Sequence, residues 1–153
     1  MATMEKELPR QTPVIPVATT VHTATTDACS ACVTCRDFGV SYGRFRALQG
    51  VNLSLPRGGI AAFMGPSGCG KSTLLRSINR MNDTIPTARF HGELHLGDQS
   101  LYAPGCNLIR LRKRVGMVFQ KPNPFPASIF ENVAWGPRLH GLYRGADLHD
   151  HVE

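Results

Sequence analysis

The run Gly65-Pro66-Ser67-Gly68-Cys69-Gly70-Lys71-Ser72 places small residues, a lysine and a hydroxyl in the spacing G-x-x-x-x-G-K-S. That combination suits a string of phosphates. Glycines let successive backbone N–H groups turn toward phosphate oxygens, and a helix starting at the end of the run adds the positive end of its dipole. Lys71 would supply a point charge to the β and γ phosphates, Ser72 a hydroxyl to Mg²⁺, and Thr73 a second hydroxyl reaching the α phosphate. Cys69 reads in two ways: a small residue that fits the loop, or a thiol activated by the helix N-terminus and open to oxidation.

Such a loop needs a strand before it and a helix after it. Ile60 to Met64 is a continuous apolar run next to glycine on both sides, which predicts a strand buried on both faces of a parallel sheet. Ser72 to Met81 predicts a helix with Leu74, Leu75 and Ile78 on one side and Pro86 beyond its end. Upstream, Val33 to Ser41 and Ala47 to Leu55 read as strands, the second with Leu48, Val51, Leu53 and Leu55 largely alternating. Downstream, Phe90 to Leu101 holds two short strands hinged at Gly97 and Asp98, Leu108 to Arg114 a basic helical turn, and Val115 to Phe119 another apolar strand. Three prolines between Lys121 and Pro126 exclude a continuous helix there, whereas Ser128 with Glu131 three residues later marks the start of one. The expected fold class is α/β.

Residues 1–32 differ from the remainder. The first thirty positions hold seven Thr, three Pro and no Gly, with no sustained apolar period, so a loose tail is expected over 1–32 and a folded region over 33–153. Across 153 residues, 42% hydrophobic and 18% charged content excludes a wholly disordered chain and a membrane bundle. No apolar run approaches the roughly 20 residues that span a bilayer. Glu5, Glu7, Pro13 and Pro16 break the pattern of a secretory leader. A net charge of +6 leaves nucleic acid, anionic lipid and phosphorylated ligands open. Five cysteines, an odd number, fit a reducing, cytoplasmic compartment.

A phosphate loop alone serves many ATPases, and the flanking strings narrow the choice. Phe38-Gly39-Val40-Ser41-Tyr42-Gly43, followed by Ala47-Leu48 and Val51-Asn52-Leu53, resembles the opening of an ABC transporter nucleotide-binding domain. The resemblance implies that Tyr42 stacks on adenine, for which a flat aromatic face is suited. Val115-Gly116-Met117-Val118-Phe119-Gln120 resembles the Q-loop of that family, and Gln120 lies 49 residues after Lys71. It implies that Gln120 contacts Mg²⁺ and the attacking water, a task for a side chain that both donates and accepts. The strings Ser72 to Asp83 and Phe119 to Pro126, with Ser128-Ile129 and Glu131-Asn132-Val133 after them, resemble the ATPase subunit of bacterial phosphate importers. This implies ATP and Mg²⁺ as ligands, membrane permease subunits and a second copy of the ATPase as partners, no nucleic acid, and a peripheral place on the cytoplasmic face of the membrane. The surface from Gln120 to Trp135 would then dock a permease helix. The implied fold is a P-loop core with a small antiparallel β subdomain, broken off in its helical subdomain.

The 153 residues hold no LSGGQ-type signature, no apolar strand ending in Asp-Glu and no later switch histidine. A fragment that binds ATP but does not hydrolyse it alone is therefore expected. Two other classes stay open: a P-loop ATPase or regulatory module acting on nucleic acid, for which Arg110, Arg112, Lys113 and Arg114 would form the basic patch, and an unstable fragment without function. Cys29-x-x-Cys32-x-x-Cys35 has a metal-like spacing, against which stands Gly39 where a fourth cysteine would be wanted. His149-Asp150-His151 reads as a solvated helix face.

Overall fold

The structure is a computed structural model that describes residues 31–143 and 145–152. They divide into two compact units at Gly116. In the first, β1 (Ala31–Tyr42), β2 (Phe45–Pro56), β3 (Ala88–Leu96) and β4 (Gln99–Ser100) form an antiparallel sheet in the order β2-β1-β3-β4. Each strand lies where the sequence predicts one, and β3 and β4 meet at the expected Gly97-Asp98 turn. β1 begins at Ala31, so residues 31 and 32 belong to the sheet rather than to the expected tail. Residues 1–30 lie outside the described part of the chain.

β1 is kinked at Asp37, whose φ is +46° and whose N–H donates to Asn52 Oδ1 at 2.9 Å. The bulge presses on β3. A Cβ at Gly92 would lie 2.1 Å from the Asp37 carbonyl oxygen, and Gly92 itself has φ +71°, so only glycine fits opposite the bulge. The inward face of the sheet carries Phe38, Val40, Leu48 and Leu94, all buried, and Tyr102 packs its ring 5.6 Å from Phe38 and 4.4 Å from Phe90.

Two helices close this core. α1 (Lys71–Ile78) inserts Leu74 and α2 (Leu108–Arg114) inserts Leu111, each about 1% exposed. Full burial of a leucine contributes about 2 kcal/mol, which here fixes each helix to the sheet. α1 ends three residues before the expected Met81. Arg80 adopts a left-handed conformation (φ +57°) and a 3₁₀ turn, Met81–Thr84, follows. The guanidinium of Arg80 stabilises the break by pairing with Asp83 at 2.6 Å, donating to the Leu101 carbonyl at 2.9 Å and covering the Tyr102 ring.

The two apolar runs expected as parallel strands are not strands here. Ile60 to Met64 and Val115 to Phe119 pair with no strand among the described residues, and Ile60 and Val118 are 92% and 97% exposed. A run that is apolar on both faces requires a neighbour on each side to stay in a sheet. The four paired strands all belong to the antiparallel sheet.

The second unit holds α3 (Ile129–Leu139) and α4 (Ala146–Val152). α3 starts as predicted, with Ser128 Oγ accepting from the Glu131 N–H at 3.1 Å. Among the described residues of this unit, Ala134 on α3 and Leu148 on α4 are buried, and the His149 and His151 rings lie 5.2 Å from Phe130 and 3.8 Å from Tyr143. The His-Asp-His run is exposed on α4, the solvated helix face expected, with its two imidazoles resting against neighbouring rings. Among the described residues no group of three or more potential metal ligands occurs, and no helix is long and apolar enough to cross a membrane.

Candidate nucleotide site

The phosphate loop runs from the end of the Ile60–Met64 segment into the first turn of α1. Gly70 is the N-cap, with φ +98°, and its carbonyl accepts the first helical bond from Leu74 N–H at 2.9 Å. Before it, Pro66 to Cys69 forms a turn closed by the Cys69 N–H on the Pro66 carbonyl at 3.4 Å. Ser67 sits exposed at the loop's crest.

Lys71 is the first residue of α1, and its side chain folds back across the loop. The ammonium donates to the carbonyls of Gly65 and Pro66, both at 2.8 Å, and to Cys69 Sγ at 3.4 Å. Its three donors are therefore held inside the ring of loop atoms. Phosphate oxygens entering the loop can replace these neutral acceptors with anionic ones, so that the ammonium gains an opposite charge as well as a hydrogen bond.

A cleft of about 170 Å³ lies against the loop, lined by Tyr42, Phe45, Ala47, Gly68, Gly70, Lys71, Ser72 and Thr73. One wall is the β1–β2 hairpin and the other is the start of α1. Tyr42, 29 residues before Lys71 in the chain, is thus brought to the same cleft as Lys71, Ser72 and Thr73. Its ring packs partly on the core while its hydroxyl donates to Asn82 Oδ1 at 3.0 Å.

The sequence reading gave no role to Phe45, which is 58% exposed at the mouth of the cleft. A two-residue turn, Gly43-Arg44, sets it directly opposite Tyr42 in the ladder. That turn was the available signal, because aromatic residues on either side of a two-residue hairpin loop face each other. Asn82, which accepts from the Tyr42 hydroxyl, and Ser77 on α1, which bonds to it, are both fully buried and were likewise missed. Gln120 is exposed and belongs to the second unit.

Other sequence signals find structural partners. Cys35 is buried in β1, and burial pushes its thiol up to about 11, which disfavours the thiolate a metal would need. Cys29 lies outside the described residues. In the basic cluster, Arg112 donates to the Asn79 and Arg80 carbonyls and Arg114 to Gln99 Oε1. These two cations are engaged within the protein, while Arg110 and Lys113 face solvent.

The ABC transporter family model matches residues 48–153, more than two-thirds of the chain. The chain belongs to the ABC transporter family. Among solved structures it is similar to CbiO1 from Clostridium perfringens, described as part of the ABC transporter complex CbiONQ, with a TM-score of 0.61 and 24% identity. The likeness covers 80% of this chain and 46% of CbiO1, so the chain spans less than half the length of that relative. The expected fold is thereby established: part of an ABC nucleotide-binding domain, with its small antiparallel sheet.

Proposed function

We propose that this chain binds Mg-ATP in the cleft between the β1–β2 hairpin and α1, as the nucleotide-holding front part of an energy-coupling ATPase. The observation that carries the reading is that Tyr42 and Phe45 line the same cleft as Lys71, Ser72 and Thr73. A purine stacks on the aromatic wall while its phosphates enter the loop formed by Gly65, Pro66, Ser67, Gly68, Cys69 and Gly70. Lys71 neutralises the β and γ phosphates, Thr73 donates to the α phosphate, and the Ser72 hydroxyl would hold Mg²⁺ beside the phosphate oxygens. A hard cation that prefers oxygen ligands fits this hydroxyl-and-phosphate donor set. Gln120 is assigned to the Mg²⁺ and the attacking water on the strength of its sequence context, Val115 to Gln120.

The finer assignment is to an importer of inorganic phosphate, with a second ATPase copy and membrane permease subunits as partners at the cytoplasmic face of the membrane. It is supported by the strings Ser72 to Asp83 and Phe119 to Pro126. Co-purification with the membrane subunits of a phosphate permease tests the cargo. Engagement of Arg112 and Arg114 within the protein weighs against a nucleic-acid surface.

Calorimetric titration with Mg-ATP tests the nucleotide reading. The native chain should bind, and Lys71→Ala should weaken binding about 10- to 100-fold, the usual loss for a charge-assisted contact. Absence of binding by the native chain, or unchanged affinity in Lys71→Ala, would overturn it.

A further inference from the structure

Asn82 is a fully buried polar side chain in the 3₁₀ turn that follows α1. An amide taken out of water persists where its donors and acceptor are matched, so its partners show what it holds. Its Oδ1 accepts from the Tyr42 phenol at 3.0 Å. Its Nδ2 donates to the Thr73 carbonyl and to Ser77 Oγ, both at 2.9 Å. Ser77 Oγ closes the triangle by donating to the same Thr73 carbonyl at 2.8 Å. Tyr42 and Thr73 both line the cleft, from opposite walls. One buried side chain therefore ties the aromatic wall to the helix that carries the phosphate loop.

We propose that Asn82 is a positioning residue for nucleotide: it fixes the Tyr42 ring relative to the loop, so that a base stacked on Tyr42 delivers its triphosphate in register with Lys71. The proposal rests on the nucleotide reading above. Its physical content is preorganisation. A phenol anchored through its oxygen has lost its freedom before the ligand arrives, so stacking does not have to order it. A ligand with phosphates and no base gains nothing from this anchor. Asn82 also donates to the Thr73 carbonyl in the first turn of α1, and a purely structural role through that bond would affect both kinds of ligand alike.

The test is titration of the full chain with Mg-ATP and, separately, with magnesium tripolyphosphate, for the native protein, Tyr42→Phe, Asn82→Leu and the double variant. The ratio of ATP affinity to tripolyphosphate affinity should fall about two- to tenfold in Tyr42→Phe, the range for loss of one neutral hydrogen bond. Asn82→Leu should lower the same ratio comparably, and the double variant should do no worse than the larger single effect, since both remove one bond. Equal losses for the two ligands in Asn82→Leu would reduce Asn82 to a structural residue. An unchanged ratio in Tyr42→Phe overturns the anchor by itself, and decides the matter if Asn82→Leu does not fold. A native chain that binds neither ligand removes the nucleotide reading, and this proposal with it. One that binds both with ratios insensitive to substitution removes the positioning role alone.

Discussion

Gly70 lies against Leu48 with no room for a side chain: a Cβ there would sit 2.5 Å from Leu48 Cδ2 and 2.8 Å from the Ala47 carbonyl oxygen. The contact explains how β2 and the phosphate loop come to share one cleft. The backbone of the loop is laid directly on the strand that carries the Phe45 end of the hairpin. Gly70 also has φ +98°, which L side chains rarely adopt. Two independent constraints thus fall on one residue.

Gly70→Ala should accordingly destabilise the chain by about 1–3 kcal/mol, from backbone strain together with the displaced Leu48 side chain. In a thermal melt this corresponds to a drop of roughly 3–10 °C. The substitution should also widen the gap between the loop and β2 and weaken Mg-ATP binding. A variant with unchanged melting temperature would show that the loop does not rest on β2 in solution.

Much of this was readable beforehand, and the reasons differ by element. The strands of the antiparallel sheet were legible because one face is wet: Leu48 and Leu53 alternate with exposed neighbours, and glycines mark the turns. The phosphate loop was legible because its chemistry restricts residue types at fixed positions. Asn82 was not, since a buried asparagine carries no pattern of its own and its partners at 42, 73 and 77 are set by the tertiary fold. The Ile60–Met64 strand was overpredicted because an apolar run states a need for neighbours and cannot state which residues supply them. The end of α1 was misplaced for a third reason. Arg80 is a good helix former by propensity, and its pairing with Asp83 and the Leu101 carbonyl overrides that preference.

Alkaline pH should destabilise the first unit through Cys35. Burial holds its thiol at about 11 against an ordinary 9.0. The unfolded chain therefore loses this proton first as pH rises. Stability is complete below about pH 9, falls between 9 and 11, and levels off once the folded thiol ionises too; the loss is of the order of 1–3 kcal/mol. Burial likewise pushes the Tyr102 phenol upward, which extends the decline in the same direction at higher pH. Urea midpoints measured from pH 7.5 to 10.5 should fall, and Cys35→Val should flatten the part of the curve between 9 and 10.5. A Cys35→Val profile that declines as steeply as the native one would remove Cys35 as the cause.

The loop after Gln120 owes its shape to Asn132, and this can be tested within the second unit. Asn132 Oδ1 accepts from the Phe125 N–H at 2.7 Å, while Nδ2 donates to the carbonyls of Phe125, Ala127 and Ser128 at 2.9–3.2 Å. Prolines at 122, 124 and 126 cannot donate, and the Asn132 side chain supplies the acceptor for the Phe125 N–H together with further donors to the loop's carbonyls. Phe125 is thereby held 5.0 Å from the ring of Trp135, the chain's single tryptophan. Asn132→Ala should speed hydrogen exchange of the Phe125 amide about tenfold, as expected for loss of roughly 1–1.5 kcal/mol of local protection, and should shift Trp135 fluorescence. Asn132→Asp retains the acceptor for Phe125 N–H and loses the donors, so it should keep that amide slow while loosening Ala127 and Ser128. If both variants leave the Phe125 amide and Trp135 unchanged, the prolines alone set the loop, and the segment from Gln120 to Trp135 needs no asparagine to hold its shape.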